Sequence, residues 1–313
     1  MANPSTRLFR SMLVPLDGSQ LAESVLPVTS LFASRLPAKV TLVHILEEHV
    51  PATIHGERHL ADVAEAEAYL NAIAARLRSA GVSQVDIHVH AAPEGDVARS
   101  IVAHALEIMV DLVVLCTHGS TGLTGFITGS IAQQVMRDGC WPVLLMPPSL
   151  VSAGSSYELR RILVPLDGRP YHDNPALRAA AAVGQAFGAE LHLVLVVATL
   201  ETLSSKQALS GRLLPAATRA ILDLEQQQAE EYLQQKRAEC CAAGTPIVTE
   251  VVRGDPVRAV PDLAERIDPD LVVMATHGRA GLDAVLEGSI APRITDRLGR
   301  LLLLIQAQEA LAR

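Results

Sequence analysis

The sequence has no basic excess. Its 26 lysines and arginines are outnumbered by 34 aspartates and glutamates, for a net charge of −8, and acidic residues lead in both halves of the chain. A nucleic-acid partner requires a basic patch or stripe, so that class is set aside. Long apolar runs are also missing. No uninterrupted stretch approaches the roughly 20 residues that span a bilayer, and the opening MANPSTRLFRSMLVPLDG holds no sustained apolar segment of the kind a secretion signal needs. The expectation is a soluble, unexported, cytoplasmic chain with no membrane partner. Cysteine is sparse: Cys116, Cys140, Cys240 and Cys241 form no C-x-x-C pair and no framework spacing, which suits a reducing compartment. Absent too are a G-x-x-x-x-G-K-[ST] phosphate loop, a G-x-S-x-G elbow and an evident base to activate water, so no catalytic residue is assigned.

What is present is an apolar chain that repeats. Hydrophobic residues make up 49% and charged residues 19% of the 313 positions, enough for the buried cores of two domains. Leu13-Val-Pro-Leu-Asp-Gly18 recurs as Leu163-Val-Pro-Leu-Asp-Gly168, and Asp111-Leu-Val-Val114 recurs as Asp270-Leu-Val-Val273. Between these anchors Tyr69-Leu70 matches Tyr232-Leu233. The Pro-, Ser- and Gly-rich seam PPSLVSAGSSY separates the copies, giving domains at 1–148 and 159–313 with a linker at 149–158. In the first copy, strand-like runs cover 12–16, 40–46, 85–90, 112–116 and 143–146. Helical patterns cover 19–34, 56–80, 97–109 and 130–137. Apolar strands alternating with helices predict, in each repeat, a five-stranded parallel sheet with helices on both faces. The last strands, 143–146 and 301–305, are apolar throughout and end each repeat, so pairing between them is expected.

The fourth strand of each repeat runs into a glycine-bearing loop, Thr117 to Ser130 (THGSTGLTGFITGS) and Thr276 to Ser289 (THGRAGLDAVLEGS), and then into a helix. Unpaired N–H groups in a helix's first turn favour an anion, and glycines let the backbone approach it. A plain strand-to-helix turn with a serine cap accounts for the same pattern, and Ser130 and Ser289 suit either role. Asp17 and Asp167 follow the first strand of each repeat, at the carboxyl edge where parallel sheets bind ligands. A carboxylate there accepts from an adenine amino group or caps the next helix, and the residues alone leave both open.

A strand ending Pro-x-Asp-Gly, a loop of form G-x2-G-x9-G-[ST] and an apolar last strand after a proline together resemble the universal stress protein family, in tandem over nearly the whole chain. The resemblance implies two Rossmann-like (adenine nucleotide alpha hydrolase-like) domains that bind ATP with Mg2+, or AMP, in a stress-response regulatory role. Some members bind no nucleotide. On this resemblance Asp17 meets the adenine, Pro15 and Ile45 border the base, Leu115 and Cys116 lie beside ribose and phosphates, and Gly119, Gly129, Ser130 and Ile131 hold the phosphates. The matching second set is Pro165, Asp167, Val196, Met274, Ala275, Gly278, Gly288, Ser289 and Ile290. The motif's first glycine is Cys116 in one copy and Ala275 in the other, which narrows the backbone approach. The resemblance also implies pairing of the two domains within the chain and a homodimer of chains.

Other residues point less sharply. His55 and His59 sit at i, i+4 as metal ligands do on a helix, but they lack a carboxylate or cysteine partner and an equivalent in the second copy, so no metal site is assigned. Cys116 is a redox-sensitive thiol if a helix N-terminus lowers its pKa, and otherwise a small strand-end residue. Three roles remain in play: a nucleotide-dependent interaction module, a slow ATPase or self-phosphorylating protein, and a nucleotide-free scaffold. Neither loop carries a phosphate-positioning lysine, which favours binding over turnover.

Overall fold

The alternation of strand-like and helical runs becomes, in the computed structural model, an α/β fold with a mostly parallel sheet. The structure describes residues 8–47, 53–54, 57–58, 60, 62–92, 96–117, 130–147, 150, 157–202, 215–240, 244–277, 294 and 297–307. The first repeat opens with β1 (Ser11–Pro15), α1 (Gln20–Glu23), α2 (Leu26–Arg35) and β2 (Lys39–Glu47). The single helix expected over 19–34 is thus two. Pro27 stands in the first turn of α2, and having no N–H and a blocking ring it is tolerated at a helix start but not in an interior.

A second expectation also changes. The helix predicted from Gly56 begins at Val63, after a short antiparallel pair, β3 (Thr53–Ile54) and β4 (Glu57–Arg58). Asp62 sets the start of α3 (Val63–Ser79): its Oδ1 accepts from the N–H groups of Ala64 at 2.9 Å and Glu65 at 3.1 Å. The repeat continues through β5 (Val85–Ala92), α4 (Val97–Glu107), β6 (Leu112–Cys116), α5 (Ser130–Asp138) and β7 (Val143–Met146). The second repeat supplies β8 (Arg161–Leu166), α6 (Pro170–Phe187), β9 (Glu190–Val197), α7 (Pro215–Cys240), β10 (Ile247–Arg253), α8 (Pro256–Ile267), β11 (Leu271–His277) and β12 (Leu301–Ala307).

The chain divides into two units. Unit 1 contains Met1–Glu158 together with Gly299–Leu304, and unit 2 contains Leu159–Leu298 together with Ile305–Arg313. In unit 1 the strand order is β12-β7-β6-β1-β2-β5. The five strands of the first repeat pair in parallel, and β12 runs antiparallel to β7, with Leu302 opposite Leu145, Leu303 opposite Leu144 and Leu304 opposite Val143. Every residue of β6 and β7 is buried whatever its parity, as befits strands covered on both faces. The strand order turns back between β1 and β6, which creates a crevice at their carboxyl ends.

Unit 2 repeats the parallel arrangement in the order β10-β9-β8-β11. Both units use one device to fix the entry to their first strand. Asp111 Oδ1 and Oδ2 accept from the N–H groups of Ser11 at 2.9 Å and Arg10 at 2.8 Å, and Asp270 Oδ2 accepts from Arg160 at 2.7 Å and Arg161 at 2.9 Å. That explains why an aspartate precedes the matched Leu-Val-Val runs. No helix among the described residues is long and apolar enough to cross a membrane.

Candidate functional site

The carboxyl end of β1 turns on Gly18, whose φ of 90° lies in the left-handed region. A Cβ there would also come within 3.0 Å of the Leu60 side chain. Asp17 organises this turn. Its Oδ1 accepts from Ser19 N at 2.9 Å and from Ser19 Oγ at 2.7 Å, and Ser19 Oγ in turn accepts from Ala22 N at 3.1 Å. The cap of α1 is therefore Ser19, and Asp17 is the residue that holds the cap. Of the two roles the residues left open, the direct helix cap is not the one Asp17 plays.

Beside this turn, at the reversal of strand order, lies a cavity of about 90 Å3. It gathers Pro15, Asp17, Ile45, Leu115, Cys116 and Ile131 from β1, β2, β6 and α5, six positions that the sequence motifs singled out. Sequence reasoning missed the other wall residues, among them Val43, His44 and Glu47 of β2, and Val97 and Ile101 of α4. The spacing of Val97 and Ile101, an i, i+4 apolar pair on an amphipathic helix, was the only signal available for them.

The cavity is polar on the side of β1 and β2, where Asp17, His44 and Glu47 line it. His44 is buried and held at both ring nitrogens: Nδ1 lies 2.7 Å from Leu16 O and Nε2 lies 3.1 Å from Leu60 O. The imidazole ties the end of β1 to the chain entering α3. On the β6 side Cys116 is buried, and Ser24 Oγ donates to its Sγ at 3.3 Å. Burial pushes the thiol above its ordinary pKa; the Ser24 hydrogen bond acts against that, and the Asp17 charge adds to it. Cys116 is thus a packed strand-end thiol and not an activated one. Ser130 is the first residue of α5, and Gly119, Gly129 and His118 lie outside the described residues.

In unit 2, Pro165 and Asp167 stand at the end of β8, Val196 at the end of β9, and Met274 and Ala275 near the end of β11. Gly278, Gly288, Ser289 and Ile290 lie outside the described residues. The turn after β8 is tied differently from its counterpart. Asp173, 2% exposed, accepts from the N–H groups of Asp167 and Gly168, each at 3.0 Å, and from the Tyr232 hydroxyl at 2.7 Å. Burial raises its pKa foremost, and the Tyr232 hydrogen bond opposes the rise. The matching residue in unit 1 is Glu23, which pairs instead with Arg76 at 2.5 Å. Asp167 accepts from Arg169 N at 2.9 Å, and the cap position of α6 falls on Arg169, so Asp167 does not cap its helix directly either.

His55 and His59 lie outside the described residues. Among the described residues no group of three or more His, Cys, Asp or Glu side chains is arranged to hold a metal ion.

Comparison with known proteins agrees with this architecture. The model of the universal stress protein family matches residues 8–147 and again 158–297. A universal stress protein of Methanocaldococcus jannaschii is 28% identical over 135 residues, 43% of this chain and 75% of that protein. Universal stress protein YxiE of Bacillus subtilis is 26% identical over 151 residues, 44% of this chain and 99% of the relative. Among solved structures, a universal stress protein from Archaeoglobus fulgidus superposes with a TM-score of 0.68 at 17% identity, covering 97% of this chain and 99% of that one. A protein of unknown function from Pseudomonas aeruginosa gives 0.67 at 18% identity, covering 97% and 95%. These two likenesses concern the fold. With both repeats matched from first strand to last loop, the chain belongs to the universal stress protein family as a tandem member.

Proposed function

We propose that this tandem universal stress protein binds adenine nucleotide in the unit 1 cavity and acts as a nucleotide-dependent regulatory or interaction module in a stress response. The observation that carries the reading is the convergence of Pro15, Asp17, Ile45, Leu115, Cys116 and Ile131 on one cavity at the strand-order reversal. Its chemistry suits the base end of a nucleotide. Carboxylate and backbone acceptors near β1 and β2 match an exocyclic amino group, and apolar Pro15 and Ile45 match the faces of a ring. The start of α5, with Gly129, Ser130 and Ile131, is the group proposed to hold the phosphates, through unpaired N–H donors. At about 90 Å3 the cavity is well below the roughly 300 Å3 of ordinary small-molecule pockets, so it is read as the base subsite alone. Mg2+ would accompany a triphosphate by pairing with its charge; no side chain is assigned to it.

The test is calorimetric titration of the full chain with ATP and with AMP, with and without Mg2+, alongside mass spectrometry of nucleotide carried through purification. Saturable binding with an adenine preference over guanine supports the reading. No carried nucleotide and no thermal shift with either ligand would leave a scaffold instead. Phosphate release well above background would reassign the site to hydrolysis.

A further inference from the structure

Histidine recurs at alternate positions of β5, and residues two apart on a strand share a face, so His88 and His90 project to the same side. His104 of α4 packs against them, its ring centroid 4.8 Å from that of His88 and 5.8 Å from that of His90. Only 5% of His104 is exposed, and neither of its ring nitrogens has a hydrogen-bond partner. Glu107 Oε2, on a side chain 73% exposed, lies 3.6 Å from His104 Nδ1. Further along the same face of β5 stands Asp86, already paired with Lys39 at 2.6 Å. Among the described residues, the titratable groups that act on His104 are the imidazoles of His88 and His90 on β5 and the solvated carboxylate of Glu107 on its own helix. Such a setting accepts a neutral ring and resists a cation, because burial strips the charge of water and the one facing carboxylate, Glu107, is solvated and lies beyond hydrogen-bond distance.

The same face of α4 reaches the cavity. Val97, Ile101 and His104 are spaced i, i+4, i+7, one stripe of a helix, and the first two are wall residues of the cavity. We propose that His88, His90 and His104 make α4 a proton-responsive wall: on acidification the helix loosens from β5 and carries Val97 and Ile101 away from the cavity. The proposal goes beyond nucleotide binding and does not depend on it. Burial, then the neighbouring His88, lowers the His104 pKa from its ordinary value, while Glu107 opposes the shift. The sign follows from linkage. A histidine whose folded pKa is depressed leaves the packed state fully stable above about pH 6.5, and the stability falls as pH drops below that value.

Hydrogen exchange of the full chain without nucleotide, corrected for the intrinsic pH dependence of exchange, tests this. If opened α4 exposes a histidine of ordinary pKa and packed α4 holds it neutral, the opening equilibrium of residues 97–107 rises about tenfold from pH 7.5 to pH 5.5. Residues 256–267 of α8 serve as the internal control. The rise is expected to vanish in His104→Leu and in His104→Gln, the second variant covering the case in which the first does not fold. Equal rises in wild type and variants, or none in wild type, would overturn the proposal. So would protection of 97–107 by Zn2+ at pH 7.5 that His104→Leu abolishes, which would assign the trio to a cation. Because no nucleotide is present, failure here is separate from failure of the nucleotide reading.

Discussion

Replacing Asp17 by alanine removes an acceptor with two structural duties and one proposed binding duty, and the geometry lets them be separated. The structural duties are the hydrogen bonds from Ser19 N at 2.9 Å and Ser19 Oγ at 2.7 Å. Bonds to a charged acceptor contribute about 1.5–3 kcal/mol each, but both donors here share one oxygen on a residue that is not fully buried. A combined loss of about 2 kcal/mol is therefore expected. Ser19 itself is buried, so water does not readily replace the lost acceptor. In a unit of this size the loss corresponds to a fall in Tm of about 4–8 °C. Asp17→Asn keeps an oxygen for Ser19 and should cost under about 1 kcal/mol, while it removes the charge from the cavity. The proposed base contact then predicts adenine nucleotide affinity lower by about 5- to 30-fold in Asp17→Asn, equivalent to roughly 1–2 kcal/mol. Urea unfolding measures the first effect and calorimetry the second. If Asp17→Ala unfolds within about 0.5 kcal/mol of wild type, the account of the turn is wrong. If Asp17→Asn binds as wild type does, the carboxylate does not read the base.

Four further outcomes are expected. Gly18→Ala forces a side chain into a φ of 90° and against Leu60, and should lower stability by about 1–2 kcal/mol in denaturant titration; an unchanged midpoint would count against the turn. Leu303→Ala, fully buried opposite Leu144, should cost about 2–5 kcal/mol and destabilise residues 11–146, read by hydrogen exchange, although it lies in the second repeat. Cys140 is exposed, whereas burial raises the pKa of Cys116, so a thiol reagent at pH 7.5 should label Cys140 first; early labelling of Cys116 in native protein would contradict its packed setting. If the two glycine-bearing loops hold phosphate as proposed, the first should bind more tightly than the second, because Glu287 immediately precedes Gly288-Ser289 while the segment from Thr117 to Ser130 has no acidic residue. Stronger ATP binding by Gly129→Arg than by Gly288→Arg would reverse that order.

Legible in the sequence were the repeat, the strands of the main sheet, the α/β class and six of the residues that line one cavity. Asp17 was legible because it stands at the carboxyl end of an apolar run, and in a parallel sheet such ends meet at one edge, whereas Pro15, Ile45, Leu115, Cys116 and Ile131 were legible only through the resemblance to the family. The two breaks in helix assignment were local signals under-read: Pro27 in a first turn, and Asp62 as a cap. Other features had no local signal. His44 is a lone histidine in an apolar strand until folding brings Leu16 O and Leu60 O to its two nitrogens. His88, His90 and His104 lie on two elements and become a cluster only when α4 packs on β5. Asp111 became intelligible only when the N–H groups of Arg10 and Ser11, a hundred residues earlier, arrived at its carboxylate. Periodicity and capping are written within a turn or two of chain. Which side chain meets which across the sheet is decided by how the elements pack, and that information exists only in the tertiary structure.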